Sequence, residues 1–116
     1  MKPPSERAIM AEIQLALTKR GIRIWRNNQG AFQDKRGVWV RFGLCIGSSD
    51  LIGVMPWAEG GRSPSGRFLA IEVKRPGEKP TKDQQAFIDM VNDMDGIAFV
   101  AHSVEEAIKC LKDSIL

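Results

Sequence analysis

The chain of 116 residues has no tyrosine, one histidine and two cysteines. Two cysteines, Cys45 and Cys110, cannot form a disulfide framework, and together with His102 they fall short of the four ligands of a structural zinc site. Any metal must then be held by carboxylates and water. No apolar run approaches the ~20 residues of a membrane span. The opening Met1-Lys2-Pro3-Pro4-Ser5-Glu6 carries no apolar stretch of the kind a signal peptide needs. A membrane protein and a conventionally secreted one are thereby excluded, and a reducing cytoplasm is the expected compartment. Internal repeats and low-complexity tracts are also lacking. What remains is the balance of an ordinary globular chain, 43% hydrophobic and 27% charged. Its length suits one domain over residues 1–116, with roughly two thirds of the chain's surface buried on folding.

The net charge of +3 is unevenly spread. Residues 1–79 hold 14 of the 17 Lys and Arg but 7 of the 14 Asp and Glu, a balance of +7. Residues 80–116 hold the other 3 and 7, a balance of −4. Such asymmetry suits a protein that turns one face to a polyanion. Charge scatter between a β-rich half and a helical half is the alternative.

Periodicity divides the chain into elements. Ile9, Ile13, Ala16 and Leu17 form one stripe of a helix over Ser5–Arg20, with Gly21 at the position of a left-handed cap. Strands are predicted at Ile22–Arg26, Val38–Phe42, Asp50–Met55, Arg67–Lys74 and Ile97–Ala101. Asn27–Gly30 and Asp34–Gly37 are turn clusters, Gly43–Ser49 is rich in glycine and serine, and Ala58–Gly66 is expected to be a mobile hairpin tip. Thr81-Lys82-Asp83-Gln84 and Ser103-Val104-Glu105-Glu106 are capping boxes. The first opens a helix with Phe87, Ile88, Val91 and Met94 on its apolar stripe, and the second a helix with Ala107, Ile108, Leu111 and Ile115 buried. The order α-β-β-β-β-α-β-α predicts an α/β or α+β domain, a mixed sheet flanked by helices.

Asp50 opens one apolar strand, and Glu72 and Lys74 close another. Alternation in a strand projects Glu72 and Lys74 to one face and sends Ile71 and Val73 into the core. Two carboxylates from neighbouring strands and a lysine suit a hard divalent cation such as Mg²⁺, which takes one or two carboxylates and fills its remaining positions with water and phosphate. The lysine can offset charge on a phosphate or help deprotonate a water. Taken alone, Glu72-x-Lys74 reads better as a structural ion pair on a half-exposed strand.

The segments Gly47-Ser48-Ser49-Asp50-Leu51-Ile52-Gly53, Phe68-Leu69-Ala70-Ile71-Glu72-Val73-Lys74 and Thr81-Lys82-Asp83-Gln84-Gln85-Ala86-Phe87 resemble, in that order, the motif series of the VRR-NUC (virus-type replication-repair nuclease) family. That family is a branch of the PD-(D/E)XK nuclease superfamily. The resemblance extends to Glu12-Ile13-Gln14, Arg26-Asn27-Asn28-Gln29-Gly30 and Ser103-Val104-Glu105-Glu106-Ala107, and covers nearly the whole chain. Ser49 stands where the superfamily name would place proline. The likeness is to a standalone, phage- or prophage-type member.

The resemblance implies a restriction-endonuclease-like core and a DNA endonuclease using Mg²⁺ or Mn²⁺. In this sequence Asp50, Glu72 and the backbone carbonyl of Val73 become the metal ligands, and Lys74 the catalytic lysine. Gln84 would reach the site from the start of its helix, although the same side chain could simply cap it. Glu12 is the third acid, with Glu6 the poorer choice. The resemblance also implies homodimers suited to branched or four-way-junction DNA. Arg26, Asn27, Lys35, Arg36 and Arg41, interleaved with aromatics around a hairpin, are the candidate DNA contacts. Trp25 and Trp39 read better as core or sheet-face residues than as base platforms. A catalytically inactive DNA-binding module, or a structural subunit of a phage replication complex, is the alternative.

Overall fold

A computed structural model describes residues 2–56 and 66–115. Helix α1 (Glu6–Lys19) starts where the Ser5 hydroxyl accepts the Ala8 N–H at 3.1 Å, and it buries Ile9, Met10, Ile13 and Leu17. Gly21, at φ +82°, ends it in the left-handed conformation that glycine adopts without steric cost. Strands β1 (Arg23–Arg26), β4 (Leu51–Met55), β5 (Arg67–Val73) and β6 (Ile97–Ala101) form the main sheet in the order β1-β4-β5-β6. The first two pairings are antiparallel, and β5 with β6 is parallel. Helix α2 (Lys82–Asp93) crosses from β5 to β6, and α3 (Val104–Ile115) follows β6.

Strand alternation sorts the core onto two faces. Leu51, Met55, Leu69, Ile71, Val73 and Ile97 meet α1 and the Ala107 and Leu111 side of α3. Ala70 and Ala98, on the opposite face, meet Phe87, Ile88 and Val91 of α2. The expected mixed sheet between helices is thus the architecture observed, and Phe87, Ile88 and Val91 are the buried stripe of their helix. Met94 departs from that stripe, standing 77% exposed just past the helix.

One strand is added to the expected order. Residues Gly30–Gln33 form β2, paired antiparallel with β3 (Trp39–Phe42) in a separate two-stranded sheet. The turn cluster Asp34–Gly37 joins them: Asp34 Oδ1 accepts the Arg36 and Val38 N–H groups at 2.8 and 3.0 Å, and Gly37 takes φ +79°. Every residue of β2 and β3 is exposed, so no apolar–polar alternation marked β2 as a strand. The hairpin tip expected at residues 58–66 lies, Gly66 apart, outside the described residues, and so does the Ile115 side chain.

Candidate active site

The antiparallel register of β4 and β5 pairs Leu51 with Ile71. One step further out, the same register sets Asp50 opposite Glu72, where side chains of facing residues stand ~5 Å apart. The site therefore forms at the sheet's end, where β4 begins and β5 stops.

Each member is held differently. Asp50 Oδ2 accepts the backbone N–H of Val73 at 2.9 Å, and the Asp50 carbonyl accepts the N–H of Asn27 at 2.8 Å. Glu72 is 1% exposed, and among the described residues its Oε2 atom has no hydrogen-bond partner. Lys74 is only partly buried, and its Nζ lies 3.8 Å from Glu72 Oε1. Burial pushes the Glu72 carboxyl up to about 8, the neighbouring Asp50 carboxylate adds to the rise, and Lys74 opposes it. An oxygen-rich pocket that a proton or a cation must neutralise is the result.

Two carboxylates and a nearby backbone carbonyl are hard oxygen donors, and Mg²⁺ needs only one or two carboxylates when water and phosphate complete its shell. The orphaned Oε2 of Glu72 is the atom such a cation would satisfy. Among the described residues no group of three His, Cys, Asp or Glu side chains stands together as a ready-made metal cluster. The donor set fits an ion that is shared with water and substrate.

The remaining sequence candidates divide. Glu6 is half-buried, and its pKa is raised first by that burial and then by the Asp50 charge, with Lys74 pulling the other way. It stands within electrostatic reach of the pair. Glu12 is exposed on α1, and among the described residues no hydrogen bond or ion pair ties it to Asp50, Glu72 or Lys74. Gln84 does complete the capping box: its Oε1 accepts the Thr81 N–H at 2.8 Å, while Thr81 Oγ1 accepts the Gln84 N–H at 3.2 Å. Among the described residues its amide nitrogen makes no hydrogen bond.

Behind Asp50, sequence reasoning missed a polar brace. Asn27 Nδ2 donates to Ser48 Oγ at 2.7 Å and to the Ser49 carbonyl at 3.0 Å. Gln29 Nε2 donates to the Ser48 carbonyl at 2.6 Å. The Asn27 amide donors are thereby committed to the loop before Asp50 rather than free for a ligand. The juxtaposition of Asn27 and Gln29 with buried Ser48 and Ser49 was not visible in sequence spacing, since 19 to 22 residues separate the partners.

The bases expected to meet DNA, Arg26, Lys35, Arg36 and Arg41, are all exposed, and Arg36 pairs with Asp34 at 3.0 Å. Trp25 and Trp39 lie on strands, as expected of sheet-face residues, but they are 55% and 66% exposed, not core. On the other flank His102 Nε2 meets the Glu78 carbonyl at 2.8 Å and Nδ1 the Glu106 carboxylate at 3.0 Å, which ties the loop after Lys74 to α3.

A mixed sheet flanked by helices, with two acids and a lysine brought together where two strand ends meet, defines the class: an α/β protein with a nuclease-like core. The chain belongs to the VRR-NUC family: the model of the VRR-NUC domain matches residues 6–105. Its function is accordingly nuclease-type DNA processing, with DNA as the substrate. No curated protein and no solved structure matches it significantly. Among the described residues no helix is long and apolar enough to cross a membrane.

Proposed function

We propose that residues 1–116 act as one domain, a divalent-metal-dependent DNA endonuclease in which Asp50, Glu72 and the Val73 carbonyl hold Mg²⁺ or Mn²⁺. The observation that supports this reading most is the buried Glu72 oxygen that has no hydrogen-bond partner among the described residues, beside a second carboxylate and a lysine. When bound, the ion supplies polarisation of the scissile phosphate and a lowered pKa for the attacking water. The chain supplies the rest. Asp50, anchored by the Val73 N–H, and Glu72, fixed by burial, offer oxygens whose positions need little reorganisation. Lys74 brings a positive charge to the same face and offsets the negative charge that grows on the phosphate. Gln84, from the first turn of α2, is a positioning residue for the water or phosphate, and Glu12 and Glu6 are the candidate further acids on α1. Arg26, Asn27, Lys35, Arg36 and Arg41 form the DNA-contacting side, with Asn27 acting through the loop it braces.

The resemblance to small standalone members adds three finer points to the reading. Two copies pair as a homodimer, branched or four-way-junction DNA is the substrate, and the setting is phage replication or repair in a bacterial cytoplasm. The deciding experiment is a panel of end-labelled linear, flap and four-way-junction DNAs incubated with Mg²⁺, Mn²⁺, Ca²⁺ or EDTA. Cleavage with Mg²⁺ or Mn²⁺ that stops in EDTA is expected, and Ca²⁺ supports binding with little cleavage. Cleavage persisting in excess EDTA overturns the carboxylate–metal reading.

A further inference from the structure

A cavity of about 450 Å³ opens between the base of the β2–β3 hairpin and the segment that follows β3. Gln29, Gly30, Arg41, Phe42, Gly43 and Gly47 contribute to its wall. We propose that it seats one unpaired nucleotide of the DNA substrate, with the base against Phe42. The proposal rests on the nuclease reading and adds to it which part of the substrate lies beside the site.

The size sets the class of ligand. A cavity of this volume belongs with sites for small molecules, so a single nucleotide fits and a duplex does not. The chemistry narrows it further. Phe42 offers an aromatic ring that is 49% exposed, and every base has a face that can stack on it. Arg41, the preceding residue of β3, adds a positive charge to the strand that walls the cavity, and among the described residues it has no carboxylate partner.

The cavity is built rather than left over. Gly30 makes room for the Phe42 ring, since a Cβ there would come within 2.8 Å of it. Gly43, at φ +101°, lies against Gln29 so closely that a Cβ would collide with it. Gly47, at φ +81°, lets the chain approach the Asp83 carbonyl, 2.5 Å from where its Cβ would be. Gln29 and Asn27 then tie this wall to Ser48 and Ser49. Gly47 is three residues from Asp50, so wall and carboxylate lie within ~10 Å along the chain. A nucleotide in the cavity is therefore a near neighbour of the phosphate at the metal site. The enzyme would hold one base out of the stack, at lower cost where the base is already unpaired, at a flap or a branch point.

Two measurements test this. In the first, flap DNAs carry either a normal or an abasic nucleotide at each of the three positions nearest the cut. For the wild type, losing the base at one position should raise KM by about tenfold, the effect of one lost stacking interaction. Phe42→Ala should cleave both substrates with the same, raised KM. Equal KM for normal and abasic flaps at all three positions with the wild type overturns the proposal. The second measurement needs no cleavage. Cys45 is exposed and lines the cavity, so its alkylation by a thiol reagent reports occupancy. In EDTA, a short single-stranded oligonucleotide should slow Cys45 alkylation at least fivefold, with Cys110 as the internal reference, while an equal concentration of blunt duplex should not. No protection, or equal protection by both, overturns the proposal. Protection without any cleavage under any metal would instead remove the nuclease reading and leave the nucleotide site standing.

Discussion

The backbone N–H of Val73 donates to Asp50 Oδ2 at 2.9 Å, so the carboxylate that opens β4 also anchors the last residue of β5. Asp50 is at once a candidate metal ligand and a clamp between two strands. Its neighbour Glu72 has the opposite character, a buried acid with one oxygen that has no hydrogen-bond partner among the described residues. Structural need explains the first residue in part. It does not explain the second, because an unpartnered buried carboxylate costs stability.

That difference predicts how substitutions at the two positions separate. Asp50→Asn keeps an oxygen able to accept the Val73 N–H, so the fold should survive while nuclease activity falls by roughly a hundredfold or more. Asp50→Ala should lose activity and also about 1–3 kcal/mol of stability, from the orphaned N–H. Glu72→Gln should lower activity to the same extent and raise the melting temperature of the metal-free protein at neutral pH, because the amide is buried without having to take up a proton. Paired thermal-melt and cleavage assays check all three, and wild-type turnover by Asp50→Asn would refute the site.

The pH dependence of stability follows from Glu72 and His102. Glu72 binds its proton more tightly folded, near 8, than its ordinary value of 4.5. The folded state therefore holds the extra proton between those values, and metal-free stability must fall as pH rises from about 4.5 to about 8. Mg²⁺ should restore more stability at pH 8 than at pH 5, since cation and proton compete for the same oxygens. His102 adds a smaller fall of the same sign. Its pKa is raised by the Glu78 carbonyl and then by Glu106, so its contribution is complete below its ordinary 6.5 and is lost as pH climbs through the raised value. With both partners near the surface, this share should be under ~1 kcal/mol. Melting curves from pH 4 to 9 should lose the larger slope in Glu72→Gln and the smaller one in His102→Gln.

Gly47 offers a test of the loop that presents Asp50. A side chain there faces both a left-handed φ and the Asp83 carbonyl at 2.5 Å. Gly47→Ala should destabilise by ~1–3 kcal/mol and lower cleavage with it, because the loop and the first turn of α2 cannot both stay in place. The control is Gly77→Ala, where φ is +87° but among the described residues nothing lies within 4 Å of the new Cβ. It should show the smaller, purely conformational cost in chemical denaturation.

Much of this was legible in the sequence, for identifiable physical reasons. The apolar runs at Leu51–Met55 and Phe68–Val73 and the two-residue step from Glu72 to Lys74 are local patterns, and local patterns fix which side chains share a face. Thr81 and Gln84 declared their capping box in the same way. Strand β2 was not legible, because both of its faces are exposed and Gly30-Ala31-Phe32-Gln33 has no alternation to read. Nor were the Asn27–Ser48 and Gln29–Ser48 bonds, which depend on how β1 and β4 pair. The resemblance made Glu12 the third acid, and Glu6 the poorer choice as the residue nearer the helix end, but neither ground says which end of α1 approaches the sheet. Glu6 senses Asp50 because the helix's first turn lies there.

The uneven charge separates a DNA-facing surface from mere basicity. If Arg26, Lys35, Arg36 and Arg41 meet phosphates, each neutralised phosphate releases counterions and affinity must fall steeply with salt. About five contacts on duplex DNA give a log–log slope of roughly −4 to −5. Replacing Arg26, Lys35 and Arg36 by Glu should weaken binding at least tenfold and flatten that slope, while the Glu72 and Asp50 site, on other elements, still takes up metal. Replacing Lys109 and Lys112 by Glu changes the net charge in the same direction. Both are exposed on α3, in the acidic half of the chain, so that variant should bind nearly as the wild type does. Fluorescence anisotropy at several salt concentrations distinguishes the outcomes. Equal losses in the two variants would mean that total charge alone drives binding. No loss in either would mean that the hairpin side does not meet DNA.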